Sequence, residues 1–113
     1  MEIVHPDYEV RYDEAGSTVT CKGSFRLHGD EYTLVLDLLL KAADAMPALL
    51  TLDVRELQFL NSSGINTLSK LILRVRNHKV TQVVVRGSAR FPWQEKSLIN
   101  LQRLLPALKL EIA

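Results

Sequence analysis

The tetrapeptide Asn61-Ser62-Ser63-Gly64 contains the residue types best suited to chemistry. It places hydroxyls and an amide at the predicted start of a helix, where backbone N–H groups lack partners within the helix. One interpretation is capping, in which Asn61 or Ser62 accepts a hydrogen bond from such an N–H and adds about 1 kcal/mol of stability. The other is a phosphorylation site, since a helix N-terminus favours a phosphoserine and the modification adds a charge of about −2.

Gly64 favours a role beyond capping. Inside a helix, glycine costs up to about 1 kcal/mol relative to alanine, so its presence here indicates that another group approaches the backbone closely. Two adjacent serines are also more than one cap requires. On these residues alone, a cap and a phosphorylation site both remain open.

Residue patterns typical of enzymes and metal sites are missing. His5, His28 and His78 have no zinc-site spacing and are expected at the surface. Glycine-rich phosphate loops and the hydrolase nucleophile elbow do not occur. Cys21, the single cysteine, shares the apolar face of a predicted strand and is expected to be a buried side chain. We therefore expect no enzymatic activity, no metal and no cofactor.

The composition predicts one globular domain over residues 1–113, with 47% hydrophobic and 24% charged residues. The first residues do not form a secretory signal, so we expect a cytoplasmic protein. The most apolar run, residues 34–40, is interrupted by Asp37 and is too short for a membrane anchor.

Charge is unevenly distributed along the chain. Residues 1–60 carry a net charge of −6 and residues 61–113 a net charge of +7. The basic run comprises Lys70, Arg74, Arg76, His78, Lys79, Arg86 and Arg90. Much of its spacing follows the polar side of a predicted helix and it lies in no nucleic-acid motif, so we expect a solvated face and no direct nucleic-acid binding.

Apolar spacing predicts the order β-β-α-β-α-β-α-β and a mixed α/β sheet with parallel neighbours. An N-terminal hairpin covers the alternating residues between 8 and 27. The predicted helices run from about 30 to 46, from the tetrapeptide to near 78, and through the leucines of 98–105. The later strands are predicted at 49–54, 81–86 and 108–112. Strand 49–54 is expected to be covered on both faces, and residues 55–61 to form a connection.

The carboxyl ends of parallel strands share one edge of a sheet, so the connections 55–64 and 87–93 are expected to lie together. Their large apolar side chains are Phe59, Leu60, Phe91 and Trp93. Such residues often anchor protein interfaces. The alternative is that Phe91 and Trp93 pack around Pro92 at the start of the third helix.

A family resemblance rests on Asp53 at a strand end, the pair Phe59-Leu60, and Asn61-Ser62-Ser63-Gly64-Ile65 before an amphipathic helix. These features resemble the STAS domain, named for sulfate transporters and anti-sigma factor antagonists. The resemblance covers nearly the whole chain and implies a mixed sheet with helices packed on one side. Free-standing members are partner switches in which a serine kinase, often also an anti-sigma factor, phosphorylates the second serine of Asp-Ser-Ser-Gly and a phosphatase reverses it.

By position, the acceptor would be Ser63, with Ser62 as second choice. The family usually has Asp where this chain has Asn61, which keeps the cap but removes a negative charge beside the serine. The implied partner-binding residues are Phe59, Leu60, Asn61, Ser62, Ser63, Gly64 and Trp93.

The resemblance implies a cytoplasmic phosphoprotein of signal transduction and transcription control, similar to anti-sigma factor antagonists. Its expected partners are a serine kinase or anti-sigma-type protein and a serine phosphatase, and we expect a monomer or weak dimer without membrane contact. The alternative is a constitutive STAS scaffold subunit or an anion-binding or small-ligand module, in which the serine pair holds an anion or caps the helix.

Overall fold

The chain forms six strands and three helices, which follow from apolar residues that alternate in some segments and recur at helical spacing in others. The computed structural model describes residues 1–113. Its strands are β1 (Glu2–Val4), β2 (Tyr8–Asp13), β3 (Thr18–Phe25), β4 (Leu49–Leu60), β5 (Gln82–Gly87) and β6 (Lys109–Ile112). Its helices are α1 (Thr33–Asp44), α2 (Ser62–His78) and α3 (Pro92–Leu104), and a 3-10 turn, Gly29–Tyr32, leads into α1. The predicted order is confirmed, with one additional strand, β1.

The six strands form one mixed sheet, and their order in space is their order in the chain. The strands β1, β2 and β3 pair antiparallel, so the predicted hairpin is confirmed. The strands β3, β4, β5 and β6 pair in parallel. Each parallel pair is joined by one helix, the usual crossover between parallel strands.

The helices cover one face of the sheet. Along β4, Leu50, Leu52 and Val54 are fully buried, whereas Thr51 and Asp53 on the opposite face are half-buried. The buried strand residues join those of the helices in one hydrophobic core of 25 residues. The prediction that this strand is covered on both faces is therefore wrong, because its buried residues do alternate with residues on an open face.

Strand β4 continues to Leu60, so the prediction that residues 55–61 form a connection is also wrong. Strand β3 stays paired with it until Phe25 lies opposite Leu60. This pairing has two register irregularities at which β4 carries an extra residue. Each extra residue interrupts the alternation of side chains, which hides the second half of the strand in the sequence.

Other boundaries differ by a few residues. Helix α1 begins at Thr33 rather than near residue 30, because the residues before it form the 3-10 turn. Strand β1 is only three residues long, too short to show a periodic pattern. Cys21 is fully buried, as predicted. None of the helices combines the length and the apolar character needed to cross a membrane.

Candidate functional site

The site lies at one edge of the sheet, which we call the carboxyl edge. It consists of the ends of β3, β4 and β5 together with the 3-10 turn and the first turns of α2 and α3. The backbone N–H of Asn61 donates to the carbonyl of Phe25 at 3.2 Å, which joins the end of β4 to the end of β3. The chain then turns directly into α2, so the tetrapeptide is held at this edge.

Asn61, one of the two residues predicted as possible caps, is the N-cap of α2. Its Oδ1 accepts hydrogen bonds from the N–H of Gly64 at 2.9 Å and from the hydroxyl of Tyr32 at 2.8 Å. Its Nδ2 donates to the carbonyl of Leu27 at 2.7 Å. One side chain thus joins α2 to the segment that leads into α1.

These contacts explain an amide at position 61. A carboxylate could accept the bonds from Gly64 and Tyr32, but it would place an oxygen without a hydrogen against the carbonyl of Leu27. Burial raises the pKa of Tyr32 to about 12, so its hydroxyl keeps the proton that it donates to Asn61. The sequence contains no pattern that predicts the contributions of Tyr32 and Leu27.

Gly64 is required by packing within the protein. A Cβ at this position would overlap Cδ1 of Leu60 and would lie 2.9 Å from the hydroxyl oxygen of Tyr32. The sequence correctly indicates a close approach to this backbone. The approaching groups are the protein's own side chains, so Gly64 gives no independent argument for an external ligand.

The two serines have no comparable structural role. Ser62 is exposed and Ser63 is half-buried, and neither hydroxyl forms a hydrogen bond within the protein. The carbonyl of Ser63 accepts a bond from the Thr67 hydroxyl at 2.9 Å, which is a backbone role. Capping and packing at this helix start therefore rest on Asn61 and Gly64.

Ser63 lines a groove of about 340 Å³ between the 3-10 turn with the start of α1 and the first half of α2. We call it the serine groove. Its lining residues are Gly29, Asp30, Tyr32, Thr33 and Leu36 on one side, and Ser63, Asn66, Thr67 and Lys70 on the other. The groove thus combines hydroxyls, one amide and one charge of each sign beside the candidate serine.

The apolar pair before the cap is divided between surface and core. Phe59 is 38% exposed, and the Arg26 guanidinium lies over its ring at 4.5 Å from the centroid. Leu60 is only 8% exposed and packs beneath Gly64. Of the two, Phe59 is the residue that presents apolar surface at the carboxyl edge.

Trp93 reaches the second half of β4. Its indole N–H donates to the carbonyl of Gln58 at 2.9 Å and, at 3.2 Å, to that of Leu57. The side chain is half-buried against the core. Phe91 is half-buried as well, beneath the guanidinium of Arg90. The segment 87–93 therefore lies beside β4 as predicted, and Trp93 has a packing role there.

Gln94, which sequence patterns miss, is fully buried. Its Nε2 donates to the carbonyl of Val54 at 2.7 Å and to that of Leu57 at 3.0 Å, and its Oε1 accepts from the N–H of Ser88 at 2.7 Å. Strand β5 pairs with β4 only as far as Asp53. Beyond that point, the side chains of α3 supply the hydrogen bonds that a neighbouring strand would otherwise provide.

A second cleft, of about 390 Å³, lies on the open face at the ends of β4 and β5 and includes Asp53, Arg55 and Arg90. Arg55 pairs with Asp53 at 2.8 Å. Burial raises the pKa of Asp53, but hydrogen bonds from Arg55 outweigh it and leave the pKa below its ordinary value. The cleft therefore holds a neutralised ion pair at its wall.

The histidines and the basic residues lie at the surface of the protein. His5 and His28 are exposed, and half-buried His78 lies 2.8 Å from Asp44, which also pairs with Arg74. No group of three or more histidine, cysteine or carboxylate side chains is arranged to hold a metal ion.

No family model matches the sequence, and no curated protein matches it. Solved structures with a similar fold come from Pseudomonas aeruginosa. A chain in the crystal structure of the diguanylate cyclase SiaD in complex with its activator SiaC is 14% identical, with a TM-score of 0.74 over 100% of this chain and 99% of that one. A structure of SiaC is 15% identical, with a TM-score of 0.65 over 100% and 94% of the chains. Apo-SiaC is 16% identical, with a TM-score of 0.62 over 99% and 98%. The chain therefore has the α/β fold of SiaC, with a six-stranded mixed sheet and three helices.

Proposed function

We propose that the protein is a cytosolic regulator that binds a partner protein through the carboxyl edge and releases it when Ser63 is phosphorylated. One observation carries the proposal: at this helix start Asn61 and Gly64 perform the structural work, while the hydroxyls of Ser62 and Ser63 form no hydrogen bond within the protein. Modification of either hydroxyl would therefore break no hydrogen bond of the cap. The protein needs no catalytic group of its own for this function.

Two similarities support a proposal for the chemical class of the partner. The STAS resemblance favours a serine kinase or anti-sigma-type protein, with a phosphatase that reverses the modification. The likeness to SiaC favours an enzyme such as a nucleotide cyclase, since SiaC is described as the activator of SiaD. We propose a partner enzyme whose activity depends on binding. A kinase would transfer the γ-phosphoryl group of ATP to Oγ of Ser63, with release of ADP and of the hydroxyl proton.

The proposed contact has an apolar and a polar part. Phe59 supplies exposed aromatic surface, and the start of α2 supplies the serines. A phosphate would add bulk and a charge of about −2 to this contact. A hundredfold loss of affinity requires only about 2.7 kcal/mol, a small amount compared with the cost of removing such a charge from water.

The test uses Ser63→Ala and Ser63→Glu proteins as parallel baits in a native lysate, followed by affinity measurement with the purified partner. We expect a partner that the alanine form retains and the glutamate form loses. Asn100→Glu is the control, because it adds the same charge at an exposed position of α3 outside the carboxyl edge. Equal affinity of both Ser63 variants for the same partner would contradict the switch and favour a constitutive scaffold or anion-binding module.

A further inference from the structure

We propose that a phosphate on Ser63 is bound within the serine groove by the ammonium group of Lys70. This inference rests on the proposed function, in which Ser63 is the modified residue, and it specifies which side chain contacts the phosphate. It assigns a role to a cationic side chain that the fold itself does not use. The phosphorylated protein would then have a filled groove, and the unmodified protein an open one.

Helix geometry places the two residues on one face. Ser63, Asn66, Thr67 and Lys70 follow the spacing i, i+3, i+4 and i+7, and all four line the serine groove. Seven residues correspond to about 10.5 Å along a helix axis. The four-carbon stem of lysine covers much of this separation, so its ammonium group can approach a phosphate on Ser63 within the groove that both residues line.

The direction of the side chains favours the same contact. Side chains in a helix tilt towards its N-terminus, so the long side chain of Lys70 extends towards Ser63, whereas the shorter side chain of Ser63 tilts away from Lys70 by a smaller amount. Lys70 forms no ion pair in the structure, whereas Lys22, Lys41 and Lys109 each have a carboxylate within 4.0 Å. Its ammonium group is therefore available to a phosphate without first breaking another pair.

Two other titratable groups line the serine groove. Asp30 lies on the opposite wall, so its carboxylate would repel a phosphate and push it towards Lys70. Burial raises the pKa of Tyr32 to about 12, so this residue stays neutral. Ser62 is exposed and is not part of the groove lining. A phosphate on Ser62 would therefore lie away from Lys70. An experiment can distinguish the two serines by whether the phosphate responds to the loss of Lys70.

The experiment measures the second pKa of the phosphate by ³¹P NMR in protein with phosphoserine installed at position 63 during synthesis. A nearby ammonium group stabilises the dianion, so Lys70→Met is expected to raise this pKa by about 0.3 to 0.7 of a unit from the intact protein's value. Lys70→Arg should restore the lower value. Lys96→Met, which removes an exposed lysine from α3, should leave it unchanged.

The same titration with phosphoserine at position 62 should show no dependence on Lys70. Equal pKa values for the phosphate at position 63 with and without Lys70 would overturn the inference, provided that circular dichroism shows both proteins folded. If the phosphoserine at position 63 itself prevents folding, the groove does not accept a phosphate and the inference is also overturned. Installed phosphoserine requires no kinase or partner, so this result and the bait comparison can fail independently.

Discussion

Asn61→Asp tests whether the local hydrogen bonds determine the amide at the cap. The substitution keeps the acceptor for Gly64 and Tyr32 but replaces the group that donates to the carbonyl of Leu27 at 2.7 Å. The variant has the residue that STAS proteins usually carry at this position. The STAS resemblance thus favours aspartate at position 61, whereas the hydrogen bonds in the structure favour asparagine.

The expected effect is a net destabilisation of about 1 to 2 kcal/mol at pH 7. Loss of the bond to Leu27 leaves a partly buried carbonyl without its partner, which costs about 1 to 3 kcal/mol. A carboxylate at a helix N-terminus regains about 0.3 to 1 kcal/mol through the helix dipole. For a chain of 113 residues, the net loss lowers Tm by roughly 4 to 8 °C.

The assay is urea unfolding followed by circular dichroism between pH 3 and pH 7. Repulsion from the Leu27 carbonyl would raise the pKa of the introduced carboxyl above its unfolded value, so the loss of stability is expected to disappear as the pH falls through the folded-state pKa. A protonated carboxyl can again donate to Leu27. Asn100→Asp, at an exposed position of α3 outside its first and last turns, is the control and should change stability by less than about 0.5 kcal/mol. If Asn61→Asp is as stable as the parent at pH 7, the reasoning about Leu27 is wrong.

Three further predictions concern groups around the same edge. Gly64→Ala should destabilise by about 1 to 3 kcal/mol in urea unfolding, because its Cβ overlaps Leu60, although alanine is the better helix former; a stabilised variant would contradict the packing argument. Tyr32→Phe should lower stability by about 1 kcal/mol at pH 7. Because the pKa of Tyr32 is raised to about 12, its contribution is complete below about pH 10 and is lost between pH 10 and 12, so the stability difference from the parent should shrink in that window. Gln94→Leu should lower the free energy of unfolding by about 2 to 4 kcal/mol, since the Ser88 N–H and the strand carbonyls lose their partner. Hydrogen exchange at the Ser88 N–H should accelerate, and slow exchange in the variant would show that another group has taken the place of Gln94.

The sequence predicts those parts of the fold that have a regular period. The helices and most of the strands repeat apolar residues at constant spacing, and Asn61 precedes its helix as caps commonly do. The second half of β4 is hidden because each extra residue lengthens the interval between buried side chains, so that Val54, Leu57 and Leu60 lie three residues apart instead of two. Strand β1 is too short to repeat anything.

The site is less predictable than the fold because its contacts join residues far apart in the chain. Leu27 lies 34 residues and Tyr32 29 residues before Asn61, and Trp93 meets β4 over a comparable separation. No local sequence pattern predicts contacts between residues this far apart. The serine pair is recognisable by type and position, and helical spacing alone places Lys70 on the same face as Ser63. The groove beside them, in contrast, exists only through the packing of the 3-10 turn and α1 against α2.

The strands have the same order in the chain and in the sheet. This order affects how the protein can fold while it is synthesised on the ribosome. Each strand pairs with the strand that was synthesised immediately before it, so every new strand finds its partner already outside the exit tunnel. The antiparallel pairings of β1 with β2 and of β2 with β3 are the most local in the sheet and can form first. Growth then proceeds in one direction, with each helix covering the junction between the strand before it and the strand after it.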